Sequence, residues 1–121
     1  DEHPLAVLRE RYPELPFSLA GFSFGSRVAI RLASTLSAPS PRRVLIAGYP
    51  TVYRQHELLV HLRVPRIFIH STHDEFGPRA ELQALYDRLW EPKQLHWVEA
   101  RDHFFAGSLD VFERIVAAAA A

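Results

Sequence analysis

Cysteine and methionine are both absent from this chain. Without thiols there is no disulfide staple and no cysteine nucleophile, and the absence is neutral about redox compartment. Methionine is missing even at position 1, where the chain opens on Asp1-Glu2-His3-Pro4. Acidic residues followed by proline read as the first turn of a helix, so the chain is expected to start mid-architecture, with its native beginning upstream. Net charge is lacking as well. The 14 Lys and Arg balance 14 Asp and Glu, which leaves no electrostatic case for nucleic acid or an anionic membrane as partner. No apolar run is long enough to span a bilayer, and no leader-like segment is visible; a cytoplasmic location is the expectation. Neither a P-loop nor a G-x-G-x-x-G occurs, so nucleotide binding has no support. There is no internal repeat, and the one low-complexity stretch, Ala117 to Ala121, extends the last helix.

The 121 residues, 48% of them hydrophobic, are enough for a single domain with a real core. They fall into a β-α alternation. Strands are expected at 17–20, 43–47, 66–70 and 95–99, and helices at 4–11, 26–36, 55–62, 78–90 and 108–119. Leu5, Leu8 and Tyr12 form the expected buried stripe of the first helix. Leu82, Leu85, Tyr86 and Leu89 form that of the fourth, at the helical spacing i, i+3, i+4, i+7. Leu109, Phe112, Ile115 and Val116 form that of the last, where Asp110 suits the N-terminal dipole. Strands separated by helices require a parallel sheet with right-handed crossovers. The expected architecture is therefore α/β: a parallel sheet of about four strands with flanking helices, in one domain over 1–121. Its first strand would be an edge with unpaired backbone groups. An N-terminal segment or a second copy of the chain is expected to pair with it.

The pentapeptide Gly21-Phe22-Ser23-Phe24-Gly25 lies between the first strand and the second helix. A G-x-S-x-G at a strand-to-helix junction holds its serine on a sharp, strained turn with the hydroxyl clear of the sheet. The N–H of the next residue, Phe24, would point from a helix N-terminus at a developing oxyanion. A serine needs a base, and partners follow in order. Asp74 comes after the third strand and His103 after the fourth, at the edge of a parallel sheet where functional groups converge. The order Ser…Asp…His distinguishes this constellation from the chymotrypsin-like and subtilisin-like ones.

Competing readings accompany each residue. Ser23 could be a turn serine, and His103 a surface-loop histidine beside Asp102, although the bulk of Phe104-Phe105 favours a held imidazole. Glu75 and Asp102 compete with Asp74 as the acid, Asp102 least well because sequence neighbours diverge. His70, His73 and Asp74 have ligand types that suit zinc, but His70 ends a strand while His73 lies in a turn, and no second cluster completes a shell; no metal is expected. His56 and His61 are expected at the surface of a short helix. Phe22, Phe24, Tyr49 and Phe76 flank the predicted catalytic edge; some of them are expected in the core, while Tyr49-Pro50, after the second strand, could line an acyl pocket.

The stretches "LAGFSFGSRVAIRLA", "IFIHSTHDEFGP" and "VEARDHFF" resemble the C-terminal half of an α/β-hydrolase, closest to small capless bacterial hydrolases related to dienelactone hydrolases. The resemblance covers nearly the whole chain from Pro16. It implies Ser23 as nucleophile, His103 as general base and then general acid, Asp74 as the residue orienting the imidazole, and no cofactor. It departs at the front: the loop that would supply a second oxyanion-hole N–H and the strand beside the nucleophile strand are absent. The function expected is a serine carboxylesterase acting on small or short-acyl esters, since the 18-residue stretch from Gly48 to Pro65 is too short for a sizeable cap. The alternatives are a non-catalytic half-domain serving as an interaction module, and a thioesterase or amidase using the same residues.

Overall fold

The computed structural model describes residues 17–36 and 40–121. The helix expected over 4–11 lies outside them. Within them four strands, β1 (Leu19–Phe22), β2 (Val44–Ala47), β3 (Arg66–Ser71) and β4 (Lys93–Val98), alternate with helices α1 (Phe24–Thr35), α2 (Glu57–His61), α3 (Arg79–Arg88) and α4 (Leu109–Ala120). All strand pairs are parallel, in the order β1-β2-β3-β4. Each crossover brings the chain back through a helix, as parallel pairing demands. No helix among the described residues is long and apolar enough to cross a membrane.

The two central strands carry the core. Every residue of β2 and β3 is buried, the pattern of strands covered on both faces. On one face Val44, Ile46 and Phe68 pack with Ala29, Ile30 and Ala33 of α1, Leu59 of α2, and Leu82 and Leu85 of α3. On the other, Ile69 and Val98 meet Phe105 and the half-buried Val111, Phe112, Ile115 and Val116 of α4. Each fully buried large side chain stabilises the fold by about 1.5–3 kcal/mol relative to exposure. Arg66 opens the apolar run of β3 yet is wholly buried. Its guanidinium donates to the carbonyls of Val64 (3.0 Å), Pro92 (3.4 Å) and Trp90, tying the two loops at the N-terminal edge of the sheet. Burial pushes its pKa down.

Three expectations need correction. β1 is displaced two residues towards the C-terminus from the expected 17–20, because Gly21 and Phe22 are ladder residues, in register with Ile46 and Ala47. Leu109 is exposed, and α4 has no fully buried residue. Of the Phe104-Phe105 pair, only Phe105 enters the core; Phe104 stays 62% exposed.

With β1 still in the ladder at Phe22, the reversal into α1 is concentrated on Ser23, which has φ 56° and ψ −122°. Its N–H is bonded to Ala47 O (2.8 Å), and its carbonyl accepts from the Ser26 N–H (2.9 Å) and hydroxyl. The two glycines of the pentapeptide differ sharply. A Cβ on Gly21 would lie 2.1 Å from Gly25 O, whereas one on Gly25 would meet nothing within 4 Å. Gly21→Ala is therefore expected to destabilise by about 3 kcal/mol or more, since only backbone could move aside. Gly25→Ala should be neutral or stabilising by up to about 1 kcal/mol, as alanine in place of glycine in a helix is. Urea melts of both variants check the contrast; equal losses would show that the turn does not depend on this one contact.

Candidate active site

Parallel pairing carries all four strands to the same edge and continues one hydrogen bond beyond three of them: Ser23 N–H to Ala47 O (2.8 Å), Gly48 N–H to Ile69 O (3.0 Å) and Thr72 N–H to Val98 O (3.0 Å). The loops after β1, β3 and β4 there bring Ser23, Asp74 and His103 together. The Ser23 hydroxyl lies 2.8 Å from His103 Nε2, and His103 Nδ1 lies 2.7 Å from Asp74 Oδ2. An ionised carboxylate only accepts, so Nδ1 carries the imidazole proton, Nε2 is a bare acceptor, and the serine hydroxyl donates to it. Asp74 and His103 are buried, with 3% and 1% exposure, so this polar line is protected from competing water.

The loops are built to hold those groups. Asp74 Oδ1 accepts the N–H groups of Phe76 and Gly77, both at 2.8 Å, which leaves Oδ2 for the imidazole. Each rival carboxylate has other work. Glu75 accepts the backbone N–H of His103 (2.8 Å) and so fixes the loop that carries the ring. Asp102 accepts from the Phe104 and Ala106 N–H groups (3.0 and 3.1 Å) and shapes the turn in which Phe105 takes φ 60°. Gly48, at φ +59°, passes directly under the imidazole: a Cβ there would lie 3.0 Å from His103 Cε1 and 3.0 Å from the Phe22 ring. Nothing in the motif spacing marks Gly48, but its place directly after a buried apolar strand is a usable signal.

Aromatic rings surround the imidazole. Phe22, Phe76 and Phe104 stand with centroids 4.9, 4.8 and 5.1 Å from His103, and all three are partly exposed. Phe22 and Phe76, two of the residues singled out in the sequence, lie against the imidazole together with Phe104. Tyr49 lies apart from this collar. Its ring is buried and its hydroxyl is 2.6 Å from His56 Nδ1 and 3.4 Å from an Arg27 guanidinium nitrogen. It borders a cavity of about 540 Å³ shared with Phe24, Arg27 and Leu58. Burial raises the Tyr49 pKa despite Arg27, and burial with Arg27 lowers that of His56; the half-buried His56 is therefore not the plain surface group its position suggests. Phe24 is the first residue of α1, where a backbone N–H has no partner within the helix.

His70 and His73 do not converge. His70 Nε2 is 2.7 Å from Gly77 O inside the protein, while the exposed His73 turns its Nδ1 to Ala100 O at 2.8 Å. Among the described residues no group of three or more potential ligands is placed to hold a metal ion. His70 is wholly buried, and desolvation pushes its pKa down although Gly77 and Asp74 oppose the shift.

Solved structures share this arrangement of elements. An α/β serine hydrolase homologue from Coxiella burnetii superposes with a TM-score of 0.83 at 20% identity, over 97% of this chain and 55% of that one. The esterase domain of a Rhodothermus marinus protein gives 0.69 at 19% identity, over 87% and 58%. A lidless α/β serine hydrolase from Xanthomonas campestris gives 0.69 at 23%, over 91% and 52%. The chain spans only about half the length of these proteins. Its residues 2–110 match the alpha/beta hydrolase domain, and with a match over most of its length the chain belongs to the α/β-hydrolase family.

Proposed function

We propose that this chain carries the acyl-transfer machinery of a serine hydrolase acting on small carboxylic esters. The observation that supports it most is the unbroken line from the Ser23 hydroxyl through His103 to Asp74, at 2.8 and 2.7 Å. In the proposed reaction Ser23 Oγ attacks the ester carbonyl as its proton passes to His103 Nε2. Asp74 stays ionised and stabilises the imidazolium through Nδ1–H. The tetrahedral oxyanion accepts a hydrogen bond from the Phe24 N–H. Collapse breaks the bond to the alcohol, which takes the proton from Nε2 and departs as the free alcohol, leaving an acyl ester on Ser23. Water then attacks that ester, gives its proton to the same nitrogen, and the acid leaves as the serine regains its hydrogen. Phe22, Phe76 and Phe104 would border the acyl or alcohol group, with Tyr49 set back beside the Phe24 cavity. A thioester or amide carbonyl would meet the same groups.

One observation favours a second reading, a half-domain that holds these residues without turning over. Phe24 is the one oxyanion donor recognised among the described residues, and removing one such donor costs about 10²–10³ in kcat. We propose that an upstream segment, or a second copy of the chain, pairs with the β1 edge and completes the hole.

Labelling with a fluorophosphonate probe, read by intact mass, separates the two. A hydrolase should take one adduct, and Ser23→Ala should take none; a folded chain that takes no adduct would support the half-domain reading. The carboxylates give a second test. Asp74→Asn should slow labelling by about 10³–10⁴-fold through loss of the required imidazole tautomer. Asp102→Asn keeps an acceptor oxygen for its turn and should stay within a few-fold of the native rate. The reverse ranking would move the acid to Asp102.

A further inference from the structure

Beside Asp74 sits a second imidazole that the proposed reaction does not use. His70 belongs to β3, opposite Trp97 of β4 in register, and its ring meets the Trp97 ring edge-on at 5.6 Å. It has no exposure to solvent. Its Nε2 lies 2.7 Å from Gly77 O and 3.5 Å from Asp74 Oδ2, the oxygen that takes the His103 proton bond. A carbonyl can only accept, so Nε2 is protonated. Nδ1 is buried with no partner, and placing a second proton there would leave a buried N–H without an acceptor. The ring is consequently a neutral Nε2–H tautomer, in keeping with the downward pressure of burial on its pKa.

We propose that His70 is a positioning residue for the Asp74 carboxylate. It ties the loop together with two hydrogen bonds and one longer contact: the Gly77 N–H donates to Asp74 Oδ1, Gly77 O accepts from His70 Nε2–H, and the same His70 edge faces Asp74 Oδ2 at 3.5 Å. A phenyl ring at this position would fill the strand face equally well. It would leave Gly77 O buried without a donor and Asp74 Oδ2 without its second N–H neighbour, loosening the loop that carries the carboxylate. Gly77 is cut to fit the arrangement, because a Cβ there would lie 2.4 Å from Tyr49 O and 2.8 Å from His70 Nε2. The charged and titratable groups facing His70 are Asp74 on its own loop and His103 from the loop after β4; Arg79 of α3 sits over the far Trp97 ring, 5.0 Å from its centroid.

This inference rests on the serine hydrolase reading for its consequence in rate but not for its geometry, and the test keeps the two apart. In ¹⁵N-histidine NMR spectra of the native chain, His70 should appear as the neutral Nε2–H tautomer. The opposite tautomer would overturn the proposal without any mutation. The His103 Nδ1 proton, held against a carboxylate, should give a strongly deshielded resonance. His70→Phe should broaden or shift that resonance and slow fluorophosphonate labelling by on the order of 10²-fold, the cost of a misplacement of about 1 Å. His70→Gln, whose amide nitrogen reaches the same place as Nε2, should restore most of both. A folded His70→Phe chain with an unchanged resonance would overturn the proposal. If the native chain never labels, the hydrolase reading fails, while the tautomer and the resonance still decide the role of His70.

Discussion

In-register parallel pairing of β1 to β4 is the constraint on which the rest depends. Each strand ends at the same edge, so residues 80 positions apart, Ser23 and His103, meet within a hydrogen bond. The ladder runs on past the strands into the loops, with Ser23, Gly48 and Thr72 giving their N–H groups to Ala47, Ile69 and Val98 of the neighbouring strands. The loops are therefore extensions of a rigid sheet, and their side chains inherit its precision. A slip of one residue would turn every strand side chain to the other face. The fully buried β2 and β3 forbid such a slip, since it would press Arg66 and His70 into the apolar layer under α4 and bring Ile67 and Ile69 to their places.

A buried carboxylate is costly unless paired, and Asp74 at 3% exposure shows how the chain meets that cost. Two backbone N–H groups satisfy one oxygen and His103 the other, with His70 alongside. Two of these donors are backbone N–H groups, and no Lys or Arg side chain among the described residues bonds the carboxylate. The same sequence segment supplies the acid, both N–H donors and the glycine whose carbonyl returns to His70. Removing the charge or any one donor therefore disturbs several contacts together, and the effects of single substitutions here will not be additive.

How far the site could be read in advance follows from which physics each residue obeys. The β-α alternation, the edge position of β1, and the meeting of Ser23, Asp74 and His103 at one sheet edge were legible, because period, strand ends and parallel topology dictate them. The end of β1 was not. Gly21 and Phe22 look like turn residues, but both are still in the ladder, and Gly21 is required there because a Cβ would lie 2.1 Å from Gly25 O, so the strain falls on Ser23. Phe104 and Phe105 are identical in the sequence, and only the Asp102 turn, with φ 60° at Phe105, decides which one is buried. His70 reads as a polar strand end because hydropathy cannot report that its partner will be a carbonyl seven residues on.

The collar around His103 shows why the site can be both open and dry. Phe22 at the end of β1 and Phe76 and Phe104 in the loops after β3 and β4 each lie next to or within two residues of one of the three polar residues. The same backbone segments that aim the hydroxyl, the carboxylate and the imidazole thus also place the apolar surface that screens them. Screening matters because an imidazolium–carboxylate pair is worth more in a medium less polar than water. No separate cap is needed to produce it. A short connection between β2 and β3 is then sufficient.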